Sequence, residues 1–160
     1  MDLFPEIEAQ TLRGERVVLP ADLPAKRTIV VAAFQQPQQA LVDRWIDAFV
    51  EEGIPPTPLG LEFDAQAAVI ELPVLPSRYR MVRRFIDGGM ARTIKVEEIL
   101  ARTWTAYTDV EKFREALSIA KPQVEVMVVS RLGEVIDRTS GEVSLSAVER
   151  LTASALEPLT

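Results

Sequence analysis

Apolar and polar positions change period several times along the chain, and each change marks an element. Ile7–Leu12 and Glu15–Leu19 read as two arms of a β-hairpin turning at Arg13-Gly14, where the glycine supplies the turn geometry. Pro20 and Pro24 then punctuate a loop. Thr28–Phe34 is an unbroken β-branched and apolar run, the pattern of a central strand covered on both faces. After Pro37 the period becomes helical. Leu41, Val42, Trp45, Ile46, Phe49 and Val50 recur every three to four residues, with Asp43, Arg44, Asp47 and Glu51 between them. Gly53 is placed to end this helix, and Pro55, Pro56 and Pro58 prevent its continuation.

A second apolar run, Ala67–Leu75, predicts a strand up to Leu72. Pro73 lacks the N–H a central ladder needs, so the strand is expected to end there or to lie at an edge. Ser77 is placed to cap a helix through about Asp87, with Val82, Phe85 and Ile86 as its inner stripe and Gly88-Gly89 ending it. Ile94–Leu100 fits either a short helix or an irregular segment. Arg102–Tyr107 alternates as a third strand, with Trp104 and Ala106 on one face and Thr103, Thr105 and Tyr107 on the other. Asp109 is placed to cap a helix over Val110–Leu117. Val124–Val129 and Glu134–Arg138 form a hairpin turning at Ser130–Gly133. A closing helix is expected at about Ser144–Leu156, capped by Ser144, with Val148, Leu151 and Leu156 among its inner residues.

The resulting order is hairpin, β, α, β, α, β, short α, β-hairpin, α. Its first part contains a βαβ crossover, which requires parallel pairing, and its last part adds antiparallel strands. The expected architecture is α/β, a thioredoxin-like mixed sheet flanked by helices on both faces, in a single domain over residues 1–160. That length suffices for a core without staples.

Composition removes whole classes of chemistry. The chain has no cysteine, which excludes disulfides, thiol redox activity and thiolate metal sites. It has no histidine, which excludes a Ser-His-Asp triad and the usual metal ligand. A net charge of −6 argues against a nucleic-acid partner. No apolar run is long enough for membrane insertion. The acidic start, broken by Pro5, fits neither a signal nor a transit peptide, and the expected compartment is the cytoplasm. No cofactor is implied, and nothing in the sequence indicates the oligomeric state.

Two stretches carry a resemblance to the thioredoxin superfamily, which spans nearly the whole chain. The opening FPEIEAQTLRGERVVLP resembles the strand and glycine turn that precede the central sheet in peroxiredoxin-type proteins. The closing VEVMVVSRLGEVIDRTSG resembles the redoxin hairpin, with Gly133 matching and Ser130 where an Asp is usual. The resemblance implies a redox Cys motif after Phe34, but this chain has Gln35-Gln36-Pro37-Gln38-Gln39 there. It also implies a cis-Pro near Val124, and Pro122 falls two residues early. A narrower resemblance is to the mitochondrial ATP synthase assembly factors of the same superfamily. It rests on Gln39-x-x-x-Asp43-x-Trp45, on RRFIDGGMAR at Arg83–Arg92 and on FREALSI at Phe113–Ile119. It implies a protein that aids assembly of a complex without thiol chemistry, and the lack of a transit peptide makes a bacterial relative the expectation.

Candidate binding residues follow. Gln35, Gln36, Gln38 and Gln39 offer uncharged donors and acceptors, and read either as a recognition surface or as a plain solvated loop. Arg80 and Arg84 lie one helical turn apart within the cluster Arg78, Arg80, Arg83, Arg84 and Arg92, and read either as an anion site or as a solvated face. Trp45 lies on the apolar stripe and is expected in the core. Asp43 and Asp47 share a helix face expected to be exposed. No catalytic or metal residue is assigned. The main expectation is a non-catalytic protein that binds an unidentified protein partner, as an assembly or chaperone-like factor. The alternatives are an enzyme or small-anion binder working at the arginine cluster without a thiol, and an oligomeric protein with an exposed apolar sheet edge.

Overall fold

A computed structural model describes residues 2–11, 14–55, 65–76 and 102–157. Its seven strands are β1 (Ile7–Thr11), β2 (Arg16–Leu19), β3 (Arg27–Ala33), β4 (Ala67–Pro76), β5 (Trp104–Thr108), β6 (Glu125–Ser130) and β7 (Val135–Ser140). Three helices accompany them among the described residues: α1 (Gln39–Glu51), α2 (Val110–Ala116) and α3 (Leu145–Leu156). The strands form one mixed sheet in the order β2-β1-β5-β4-β3-β6-β7. β3, β4 and β5 are parallel; β1 joins β5, and β6 joins β3, antiparallel. This is the thioredoxin-like mixed sheet with helices on both faces.

Strand alternation sorts the core into two layers. Ile29, Val31, Val69, Val126 and Val128 face α1 and α3, meeting Trp45, Phe49 and Leu151. Val30, Ala32, Ile70, Leu72, Met127 and Val129 face the other way, against Phe4, Phe113 and Leu117. Trp45 is fully buried, stacks on Phe49 with ring centroids 5.8 Å apart, and donates its indole N–H to the Gly141 carbonyl at 2.8 Å. A buried indole needs such an acceptor, so the core reading of Trp45 holds.

Local chemistry matches the expected ends of the later elements. Asp109 accepts from the Lys112 N–H, and Ser144 from the Ala147 N–H, each capping its helix. Gly133 turns the last hairpin at φ +92, and the Ser130 hydroxyl accepts from the Glu134 N–H at 3.2 Å. The peptide bond before Pro122 is trans; the cis bond among the described residues is Leu19-Pro20.

Two expectations fail. β4 does not stop at Pro73 but runs to Pro76 between β3 and β5. Pro73 is tolerated because it pairs with Ala33 at the last rung shared with β3, while Val74 opens the run shared with β5. Leu156 is 46% exposed rather than inward, because α3 is in its last turn there. The helix expected over Ser77–Asp87 and the segment Ile94–Leu100 lie outside the described residues.

One residue on each sheet edge has its main-chain groups taken up internally. On β2 the Val18 N–H donates to the Asp22 carboxylate at 2.7 Å, and the Asp22 N–H returns to the Val18 carbonyl. On β7 the Arg138 N–H donates to the Asp137 carboxylate at 2.8 Å, and Arg150 donates to the Arg138 carbonyl at 3.1 Å. At these two positions the closure opposes the strand addition that an exposed edge invites.

Candidate functional site

At the C-terminal end of β3 the chain passes through Phe34 and Gln35 into a single 3-10 turn, Gln36–Gln38, and then α1. Gln38 holds that turn in place. Its amide oxygen accepts from the N–H groups of Phe34 (2.8 Å) and Gln35 (3.1 Å), and its amide nitrogen donates to the Pro122 carbonyl at 2.6 Å. A side chain so engaged ties the loop after β3 to the loop before β6. Gln38 therefore works as an internal clamp, whereas the side chains of Gln35 and Gln36 are exposed.

Gln39 faces a different neighbour. Its amide nitrogen donates to Asp43 Oδ1 at 3.0 Å and approaches Glu71 Oε2 at 3.4 Å. Glu71 is only 3% exposed. Alternation along β4 turns Val69, Glu71 and Pro73 toward α1, so a carboxylate occupies a position where an apolar residue would ordinarily pack. The Thr103 hydroxyl donates to Glu71 Oε1 at 2.7 Å across the β4–β5 bridge. Arg102 lies between two carboxylates, with Nη2 3.4 Å from Asp43 Oδ1 and Nε 3.7 Å from Glu71 Oε2. The Nε separation exceeds hydrogen-bonding distance, and this buried N–H has no partner among the described residues. Burial pushes the Glu71 carboxyl above its ordinary range, against the opposing pull of Thr103 and Arg102. Asp43 is thus bound into this cluster, while Asp47 on the same helix face is exposed.

A cleft of about 500 Å³ opens between the β3–α1 turn and the end of β4. Val31, Phe34, Val42, Pro73 and Leu75 give it apolar walls; Gln35, Gln36 and Gln39 line it with amides, and Glu71 supplies its carboxylate. The four candidate glutamines therefore divide into one clamp (Gln38), one bridge to the acidic cluster (Gln39) and two exposed amides on the cleft (Gln35, Gln36). Arg80 and Arg84, with the rest of the arginine cluster, lie outside the described residues. Glu71, Arg102 and Thr103 were not among the residues singled out from the sequence. The available signal was a lone acidic residue inside the apolar run AAVIELPVL, a residue that is seldom buried without a partner.

Chemically, the arrangement can hold a ligand by apolar contact, amide hydrogen bonds and one buried carboxylate. The Thr103 hydroxyl is spent on Glu71 and is fully buried, so it is not placed to attack a substrate in the cleft.

No family model matches the chain, and no curated protein matches it in sequence. Solved structures match its fold. BsSco, a member of the Sco family of cytochrome c oxidase assembly proteins, superposes with a TM-score of 0.62 at 11% identity, covering 96% of this chain and 94% of its own. The exposed lipoprotein thioredoxin of Streptococcus pneumoniae gives 0.57 at 10% identity, covering 94% and 99%. Copper-bound ScoI of Arabidopsis thaliana gives 0.53 at 12% identity, covering 96% of each chain. At these identities the likeness is one of fold, and that fold is thioredoxin-like. No helix among the described residues is long and apolar enough to cross a membrane.

Proposed function

We propose that this chain is a non-catalytic thioredoxin-like protein that binds another protein, as an assembly or chaperone-like factor, through the Gln35–Gln39 turn and the cleft beside it. One observation carries the reading. The turn after β3 is built and clamped by Gln38, yet it presents two exposed amides beside an apolar cleft in place of any nucleophile. Exposed amides matched to peptide groups, next to an apolar recess, suit recognition of a polypeptide. The closed main-chain groups at Val18 and Arg138 disfavour strand addition at those two edge positions. The resemblance to the ATP synthase assembly factors lends further support. In its Gln39-x-x-x-Asp43-x-Trp45 motif, Gln39 and Asp43 are hydrogen-bonded at the cleft and Trp45 anchors α1 in the core. BsSco, of the same fold, belongs to a family of cytochrome c oxidase assembly proteins, and an assembly role for this chain would parallel it.

The test is affinity capture from native lysate of the source cells, with the double variant Gln35→Ala, Gln36→Ala as comparison. A reproducible partner recovered by the wild type and depleted with the variant is the expected result. Recovery of no reproducible partner would overturn the reading, as would measurable insulin-disulfide or peroxide reduction.

A further inference from the structure

We propose that the cleft receives a lysine side chain of the protein partner, its aliphatic stem along the apolar walls and its ammonium group at Glu71. This rests on the protein-binding reading above and gives its recognition a chemistry.

The charges do not balance among the described residues. Glu71 and Asp43 bring two negative charges, and Arg102 brings one positive charge. Among the described residues the cluster is one cation short, and the two oxygens of Glu71 are unequally served. Oε1 has a short bond from Thr103, at 2.7 Å; Oε2 has only the Gln39 amide at 3.4 Å and the Arg102 Nε at 3.7 Å. A carboxylate oxygen accepts two hydrogen bonds, so Oε2 has room for a donor arriving from the cleft that Glu71 lines. An anionic ligand would meet the excess negative charge. A neutral apolar group would fill the walls but leave the charge uncompensated.

The walls choose among cations. Val31, Phe34, Val42 and Leu75 offer a recess for methylene groups with the carboxylate beside it. Lysine matches that layout: a flexible four-carbon stem that packs on apolar surface and a compact head with three donors. Arginine would place a second planar guanidinium against Arg102. The Gln35 and Gln36 amides at the cleft are then available for the partner's main chain. The overall charge of −6 favours approach of a basic segment.

The experiment titrates the full chain with n-pentylammonium, a mimic of the lysine side chain, and separately with 1-pentanol, followed by amide NMR shifts. The expected result is perturbation centred on Val31, Phe34, Gln39 and Glu71, with the ammonium bound about tenfold more weakly by Glu71→Gln and pentanol unaffected by that change. Equal binding of the two probes by the wild type, or undiminished ammonium binding by Glu71→Gln, overturns the proposal. If the variant does not fold, the wild type is titrated from about pH 8 to about pH 4. The charged groups facing Glu71 among the described residues are Asp43 and Arg102, and protonation of Glu71 must remove the ammonium preference; a preference that persists overturns the proposal. Loss of the ammonium preference with a partner still captured from lysate sinks the lysine assignment alone. Absence of any partner sinks the reading beneath it.

Discussion

Glu71 and Glu125 are the same residue type in nearly the same predicament, resolved in opposite ways. Both sit on inner strands of the sheet, 3% and 6% exposed, and burial pushes both carboxyls above their ordinary range. Glu125 is locked. Arg138 donates to its Oε1 from Nε at 3.1 Å and from Nη2 at 2.8 Å, while Nη1 reaches Asp2 at 2.8 Å. Register explains this. Glu125 pairs with Ser140, so Arg138 is two residues along β7 and emerges on the same face. Among the described residues Glu71 has no such partner. The residue opposite it is Thr103, and Arg102 stands one residue out of register, its Nε 3.7 Å away. One buried carboxylate closes a seam between the N-terminal segment and the last hairpin. The other is left under-bonded beside a cleft, which is how a site differs from a staple.

The largest expected effect tests the locked side. Arg138→Ala leaves Glu125 buried without its cation and should cost about 2–3 kcal/mol in urea unfolding, moderated by the partial exposure of Arg138. Arg102→Ala should cost less, about 1–2 kcal/mol, since its contacts to Glu71 and Asp43 are long. If Arg102→Ala equals or exceeds Arg138→Ala by the same measurement, the contrast collapses. Gln38→Ala removes the clamp between the Phe34 turn and Pro122. It should cost about 1 kcal/mol and broaden the amide NMR signals of Phe34 and Gln35. The smallest change is expected from Glu71→Gln at neutral pH, within about 1 kcal/mol of wild type, because an amide keeps the Thr103 contact and avoids the cost of a buried charge.

The two carboxylates also set a pH dependence with a definite sign. A carboxyl raised in the folded state binds its proton more tightly there than in the unfolded chain. Its contribution is therefore fully present below the unfolded value and is lost as pH rises through the folded value. Thermal stability should accordingly fall across the upper part of the carboxylate range as these groups ionise. Melting curves of Glu71→Gln should show a flatter fall than wild type in that window; an unchanged slope would mean that Glu71 keeps its ordinary affinity for the proton.

Much of the fold was legible in the chain because strand and helix periods are local. The run before Phe34, the helix through Trp45, the caps at Asp109 and Ser144 and the turn at Gly133 each depend on neighbours a few residues away. Pro73 misled for the complementary reason. Whether a missing N–H matters depends on which strand lies opposite, and that partner changes at Pro73. The site was half legible. Position after a buried strand marked Gln35–Gln39, but not the division of labour among them. Gln38 acquires its role only by meeting Pro122, eighty-four residues later. Glu71 stood in plain view within AAVIELPVL, yet one acidic residue in an apolar run does not reveal its partners.

By itself, then, the sequence determined the order of the elements among the described residues, the absence of thiol and imidazole chemistry, and the place in the chain where the resemblance to redoxins puts their cysteines. Tertiary structure alone decided that β4 runs on through Pro73, that Gln38 is a clamp, and that Glu71 meets Gln39, Arg102 and Thr103 at the edge of a cleft. The physical reason is the same throughout. Propensity and periodicity are properties of a segment, whereas a buried polar group takes its meaning from the atoms that the fold brings within about 3 Å of it.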